Sequence, residues 1–237
     1  MMQTWFKNGK HFLGSKQGNV LSAAAVMMAA TLVSALLGFI RERMLNASFT
    51  QDDLGVYTAA FRLPDLLFDL SVMGILFTAF IPVFTHTVVA RSKEAAFAFT
   101  SRLINLSCLV VGGLVVLLVI FADPVSYLIV PGFNPTERAL TVFYTRIILV
   151  GQVLPLLVGN YFIGMLQSFQ YFIVPAVAPI VYNLGIIGGI LFLAPTYGLT
   201  GVVWGVIIGS LLFLAIETPF IFKVGYRHTF HVQPDKE

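Results

Sequence analysis

The sequence predicts an all-α fold, a polytopic bundle of six transmembrane helices. Hydrophobic residues make up 58% of the 237 residues, above the roughly 45–50% that is typical of soluble domains. The mean hydropathy is +0.90. The apolar residues lie in six long runs separated by short loops. Each run is long enough to cross a membrane, because a helix needs about 20 residues to span ~30 Å of hydrocarbon.

Turn-forming residues mark the limits of the spans. Pro124 and Pro131 bound one loop, and Pro195 and Gly198 bound another, because these residues interrupt helices. The predicted spans are residues 20–40, 56–84, 103–122, 139–166, 172–194 and 198–222. No polar linker divides this region, so residues 19–223 are expected to form one transmembrane domain.

The first span follows a basic segment, residues 1–18. Lys7, Lys10 and Lys16 occur there among aromatic residues, a pattern typical of a segment at the membrane interface or in the cytoplasm. The apolar run continues to Ile40, beyond the about 7–15 residues of a signal-peptide core. We therefore expect an uncleaved first span.

Two arginines follow the first span. Arg41 shares a helical face with Ser34 and Gly38, and small or polar residues mark a face that packs on protein or lines a cavity. Arg43 lies on another side, above Phe39, where snorkelling to the interface is the alternative to ligand binding.

The second span is the most charged. Arg62, Asp65 and Asp69 recur at intervals that place all three on one helical face. A helix over residues 56–84 would be ~43 Å long, more than the bilayer needs. Pro64 removes a backbone donor, so we expect a kink or break there that turns the charged side chains inward. An ion pair between Arg62 and Asp65 is the alternative.

The last three spans contain two further ionisable residues of interest. Arg146 lies about two turns into the fourth span and either snorkels outward or binds an anion. Glu217 precedes Pro219 and Lys223 near the end of the sixth span, so we expect it to anchor the helix at the interface. A charge at the centre of a spanning helix costs ~2.5–3.5 kcal/mol. The candidate substrate-binding residues are therefore Arg41, Arg43, Arg62, Asp65, Asp69 and Arg146.

Basic residues in the loops predict the orientation. They precede the first span, occur around Arg91 and Lys93 between the second and third spans, and follow the sixth span at Lys223 and Arg227. In the loops on the other side, acidic residues offset the arginines. The positive-inside rule therefore places both termini in the cytoplasm, with residues 224–237 as a tail or as the start of a second half.

The sequence lacks the motifs of enzymes and metal sites. Cys108 is the single cysteine and lies in an apolar run, and the histidines, His11, His86, His228 and His231, have no ligand spacing. No phosphate-binding loop, nucleophile elbow or zinc-binding helix occurs. We expect no enzymatic activity, cofactor or metal. The net charge of +3 resides mostly in loops and does not indicate nucleic-acid binding.

A series of motifs resembles one transporter family. In order along the chain they are GFIRERM from Gly38, AFRLPDLL from Ala60, AFIPVF from Ala79, VPGF from Val130, TRI from Thr145, IVPAVAP from Ile173 followed by Asn183, and ETP from Glu217. Together they resemble the MurJ/MviN lipid II flippases. The resemblance covers nearly the whole chain and includes a departure at Glu217, where the family has glutamine.

The resemblance implies the multidrug/oligosaccharidyl-lipid/polysaccharide exporter fold, in which two six-helix bundles surround a cavity that opens alternately to each side. This chain would supply the N-terminal bundle. The implied function is to flip lipid II, a diphosphate-linked sugar lipid, across the bacterial cytoplasmic membrane for peptidoglycan synthesis. Arg41 and Arg62 match family residues that hold the diphosphate, and the fork of a guanidinium suits phosphate oxygens.

The sequence also departs from the family. Ala35 and Asp69 stand where many members have arginine, and Gly55 stands where an acid is common. Family members have a second bundle, so we expect a truncated piece, one half of a split transporter, or a half that pairs with a second copy.

Two other functions stay open. The same fold exports drugs or polysaccharides, with Asp65 or Asp69 as a proton-coupling acid. A half-bundle also suits a non-transporting module that binds partner membrane proteins. The expected partners are a lipid-linked diphosphate sugar, membrane lipids and a second transporter half, with no nucleic acid.

Overall fold

The structure is a computed structural model that describes residues 20–75 and 80–230. The predicted segment 1–18 lies outside the described residues. The helices are α1 Val20–Ser48, α2 Gln51–Ile75, α3 Ile81–Ala90, α4 Lys93–Ile129, α5 Pro135–Ser168, α6 Ile173–Gly188, α7 Ala194–Tyr197 and α8 Leu199–Lys223, with a π-helical turn Gly189–Leu193 between α6 and α7. The described residues contain no strand, and the predicted all-α fold is confirmed.

Most of the described helices are long enough to span a membrane. Five stretches are also sufficiently apolar: Ala24–Ser48, Lys93–Ile129, Pro135–Ser168, Ile173–Tyr197 and Leu199–Lys223. Helix α2 has 25 residues but carries several charged side chains, so it is not among them. The predicted second span, residues 56–84, includes most of α2 and the start of α3.

Helix α5 lies at the centre of the bundle. It packs against α2, α4 and α8, while α8 also packs against α6. Helix α1 packs mainly on α6 and touches α2 only slightly. The largest core cluster includes Phe80, Phe84, Tyr161 and Met165, all of them buried. The Tyr161 hydroxyl is hydrogen-bonded to Ser107 of α4 at 2.6 Å.

Glycines bring α6 and α8 into backbone contact. Gly185 and Gly189 lie against Gly205 and Gly209 of α8. A Cβ atom at Gly205 would lie 2.7 Å from the Cα of Gly189, closer than real side chains approach. Small residues spaced by four let membrane helices pack this closely.

After α8 the chain folds back onto α4 through a closed set of hydrogen bonds. Asn105 donates to the Thr229 carbonyl at 2.9 Å and accepts through Oδ1 from His228 Nε2 at 2.9 Å. His228 Nδ1 therefore accepts from the Tyr226 hydroxyl at 2.8 Å, and Tyr226 in turn bonds to Ser101 at 3.0 Å. Partial burial lowers the pKa of His228, which favours the neutral ring that this arrangement needs.

We predict that Gly205→Ala destabilises the protein, because the added methyl group forces α8 away from the backbone of α6. Overpacking of this kind costs ~1–3 kcal/mol. The matched control is Gly112→Ala in α4, where an added Cβ meets nothing within 4 Å. Since alanine is favoured over glycine in helices by about 1 kcal/mol, the control should be neutral or stabilising. Thermal unfolding in detergent compares the two variants, and equal effects would contradict close packing at Gly205.

Candidate substrate cavity

Four charged residues of α1 and α2 border a common cavity. Its volume is about 450 Å³. Helix α1 contributes Arg41 and Glu42, α2 contributes Tyr57, Thr58, Phe61, Arg62 and Asp65, and α6 contributes Tyr182 and Ile186. Arg41 and Arg62 thus lie on two different helices and line the same space.

Arg41 is held in place by α6. Its Nη1 donates to Asn183 Oδ1 at 3.0 Å, and Asn183 Nδ2 donates to Ser34 Oγ of α1 at 3.1 Å. The second contact of the guanidinium is a longer ion pair with Glu42, at 3.4 Å. The Arg41 side chain is 24% exposed, and its buried Nε has no hydrogen-bond partner in the described part of the chain. Arg41 is therefore held by Asn183 while its side chain stays partly exposed at the cavity.

Helix α2 continues through Pro64, so of the predicted kink or break at that residue the break is wrong. Proline has no backbone N–H, and the carbonyl four residues earlier, that of Ala60, loses its helical partner. Thr145 of α5 replaces it by donating its hydroxyl to the Ala60 carbonyl at 3.1 Å. This bond joins α2 to the central helix one turn from Arg62 and Asp65.

Arg62 and Asp65 do not form the ion pair that was the alternative reading of their spacing. Among the residues described, an ion pair within 4 Å is formed by Arg41 and Glu42, not by these two. Both side chains are exposed. Arg62 also borders a second cavity of about 450 Å³, which is lined by Gly55 and Phe133. Arg62 therefore stands between two cavities.

The structure does not bring the other candidate residues to the cavity. Asp69 is exposed, one turn beyond Asp65. Arg43 is exposed, and its guanidinium carbon lies 5.9 Å from the centre of the Phe39 ring. Arg146 is exposed, and its Nε donates to the Val119 carbonyl of α4 at 3.0 Å.

Glu217 does not anchor α8 at the interface, and that expectation is wrong. Its side chain is fully buried, with 0% exposure. It lies instead between α8 and α5, beside Gly159.

Two tyrosines of the cavity were missed by the sequence analysis. Tyr57 is buried beside Phe61, with ring centres 4.9 Å apart. The Tyr182 hydroxyl accepts a hydrogen bond from Gln152 Nε2 at 3.3 Å. Tyr182 directly precedes Asn183, which belongs to the family motif. The motif therefore indicated this part of α6, but it did not predict that Tyr182 lines the cavity.

An apolar groove adjoins the charged cavity. It has a volume of about 660 Å³ and shares Tyr182 with that cavity. Met27 and Ala30 of α1, Ile163 of α5 and Phe213 of α8 are among its lining residues. A charged pocket and an apolar groove therefore meet at Tyr182.

Comparison with known proteins identifies the family. Residues 43–236 match the model of the family described as lipid II flippase MurJ. The chain belongs to the MurJ family. The resemblance seen in the sequence motifs is confirmed, and the curated relatives of this family are named as lipid II flippases.

MurJ relatives match most of this chain. The probable lipid II flippase MurJ of Bdellovibrio bacteriovorus is 32% identical over 204 residues, covering 81% of this chain and 38% of the relative. That of Borreliella burgdorferi is 27% identical over 208 residues, covering 87% of this chain and 40% of the relative. The chain thus spans about two-fifths of the length of these relatives.

A solved MurJ structure has the same fold. The structure titled lipid II flippase MurJ in an inward closed conformation aligns with a TM-score of 0.72 at 23% identity, covering 88% of this chain and 44% of that chain. Family membership and the five apolar helices of spanning length identify a multi-pass bacterial membrane protein.

We predict that Thr145→Val destabilises the MurJ-family bundle by ~1–3 kcal/mol, because it leaves the buried Ala60 carbonyl without a donor. In a Pro64→Ala background, residue 64 regains an N–H for that carbonyl, so the same substitution should cost much less. Thr145→Ser keeps a hydroxyl and is the control. Unfolding in detergent measures all four combinations, and an equal cost in both backgrounds would contradict the proposed role of Thr145.

Proposed function

We propose that the chain is the first bundle of a flippase for lipid II and that the cavity receives the diphosphate of this lipid. The observation that carries the proposal is the presence of Arg41 and Arg62 on one cavity of about 450 Å³. Guanidinium groups bind phosphate oxygens in pairs of charge-assisted hydrogen bonds. The names of the curated relatives support the same substrate.

The acids in the cavity are compatible with an anionic ligand. Glu42 is 57% exposed, and its 3.4 Å contact with Arg41 is long for an ion pair. Exposed pairs of this kind contribute little free energy, so a phosphate oxygen can replace Glu42 at the guanidinium. Asp65 offsets part of the positive charge of Arg41 and Arg62 and so lowers the affinity of the cavity for an anionic ligand. A lower affinity suits a transporter that must release its substrate.

Both termini are proposed to be cytoplasmic, and a second bundle is proposed to complete the transporter. Hydrogen bonds of Ser101 to Tyr226 and of Asn105 to His228 and Thr229 support the orientation, because they hold the segment after α8 against the first third of α4, the helix that begins at Lys93. Alternating access in transporters arises from the rocking of two repeats. The second repeat is supplied by further sequence of the same protein, by another chain or by a second copy.

We predict that Arg41→Ala and Arg62→Ala each weaken lipid II binding by about tenfold or more, because a hydrogen bond to a charged group contributes ~1.5–3 kcal/mol. The matched control is Arg43→Ala, which removes an exposed arginine that does not line the cavity. Binding of fluorescent lipid II to the purified chain in nanodiscs measures the effect.

A growth assay tests the same prediction in cells. The protein that contains this chain should support growth of flippase-depleted bacteria when it carries Arg43→Ala, and should fail when it carries Arg62→Ala. Full growth of the Arg62 variant, or equal losses of binding in all three variants, would contradict the proposed site.

A further inference from the structure

Glu217 lies on the buried face of α8. Ser210, Phe213, Glu217 and Ile221 follow one another at intervals of three and four residues, and all four are buried. The Ser210 hydroxyl oxygen lies 3.1 Å from the Gly151 carbonyl oxygen of α5, so this face of α8 packs on α5. In a membrane protein a buried acid at such a helix contact points to a function.

The Glu217 carboxyl group has no hydrogen-bond partner among the described residues. Neither carboxyl oxygen has a hydrogen bond within the ranges 20–75 and 80–230 that the structure describes. An ionised carboxylate in apolar surroundings is strongly unfavourable unless it is paired. The group therefore carries a proton in this conformation.

The helices packed against α8 provide no charge to change this conclusion. Helix α6 has no charged residue, and α5 has none after Arg146. Their tyrosines are engaged elsewhere, since the Tyr161 hydroxyl bonds to Ser107, the Tyr182 hydroxyl accepts from Gln152, and the Tyr144 hydroxyl bonds to Thr200 near the start of α8. On α8 itself, Lys223 is exposed at the end of the helix.

Phe213 adjoins both Glu217 and the apolar groove. Phe213 lines the groove, and it shares with Glu217 the space beside Gly159. A Cβ atom at Gly159 would lie 2.6 Å from Phe213 Cε1 and 3.2 Å from Glu217 Oε2. The absence of a side chain at Gly159 therefore makes room for both groups.

We propose that Glu217 is a proton-binding site inside the bundle and that the Phe213 ring closes it off from the apolar groove. The ligand is a proton and not a metal ion. Hard metal cations need about six or more oxygen ligands, whereas this site offers one carboxyl group beside a phenyl ring and a glycine. Proton exchange requires the ring to move and admit water from the groove. This site is separate from the Arg41 and Arg62 cavity and does not depend on the substrate proposed above.

Infrared spectroscopy of the full chain in lipid vesicles tests the site. At neutral pH we expect a carbonyl band of a protonated carboxyl group that shifts when the glutamates are labelled with ¹³C. The band should disappear in Glu217→Gln and persist in Glu42→Gln, which changes an exposed glutamate. The labelled wild-type protein tests for a protonated glutamate even if a variant fails to fold. Absence of a label-sensitive band, or its persistence in Glu217→Gln, would overturn the proposal.

Exchange in D₂O tests the closure by Phe213. After transfer to D₂O, the carbonyl band should shift as the carboxyl proton is replaced by deuterium. The rate of this shift should be slow in the wild type and at least tenfold higher in Phe213→Ala. Phe121→Ala, which removes an exposed ring of α4, should leave the rate unchanged. Equal rates in the wild type and Phe213→Ala would overturn the role of Phe213, and equal acceleration by both substitutions would do the same.

Discussion

The hydrogen bond between Arg41 and Asn183, 3.0 Å long, is the interaction on which the geometry of the cavity depends. Helix α1 packs on α6 and barely touches α2, so α6 determines where the end of α1 lies. Asn183 binds Ser34 as well as Arg41 and thereby fixes both the helix and its arginine. The cavity that Arg41 and Arg62 line lies where α1, packed on α6, makes little contact with α2.

Polar contacts between helices follow from the membrane environment, where water is not available to satisfy the backbone. Pro64 and Pro155 each remove the partner of a carbonyl four residues earlier. The freed carbonyl of Ala60 accepts a hydrogen bond from the Thr145 hydroxyl. The Ser210 hydroxyl lies 3.1 Å from the freed carbonyl of Gly151 and shares its proton with the Ile207 carbonyl at 2.8 Å. The prolines thus become contact points between helices, and α5 takes part in both.

The sequence was sufficient for features that depend on helical periodicity and apolar length. It predicted the all-α fold, the approximate spans, and the face of α1 that carries Ser34 and Arg41. It was not sufficient for features that depend on partners distant in the chain. Glu217 looked like an interface residue because it lies near the end of α8, whereas its burial depends on the small Gly159 of α5. The contact of Arg62 with two cavities likewise depends on packing that the residues around Pro64 do not encode.

The most direct measurement of the central claim is a double-mutant cycle on lipid II binding with Arg41→Ala and Asn183→Ala. If Asn183 acts by positioning the Arg41 guanidinium, each single variant binds more weakly than the wild type, and the double variant binds no more weakly than Arg41→Ala alone. Fully additive losses would show that the two residues act independently and would contradict the account.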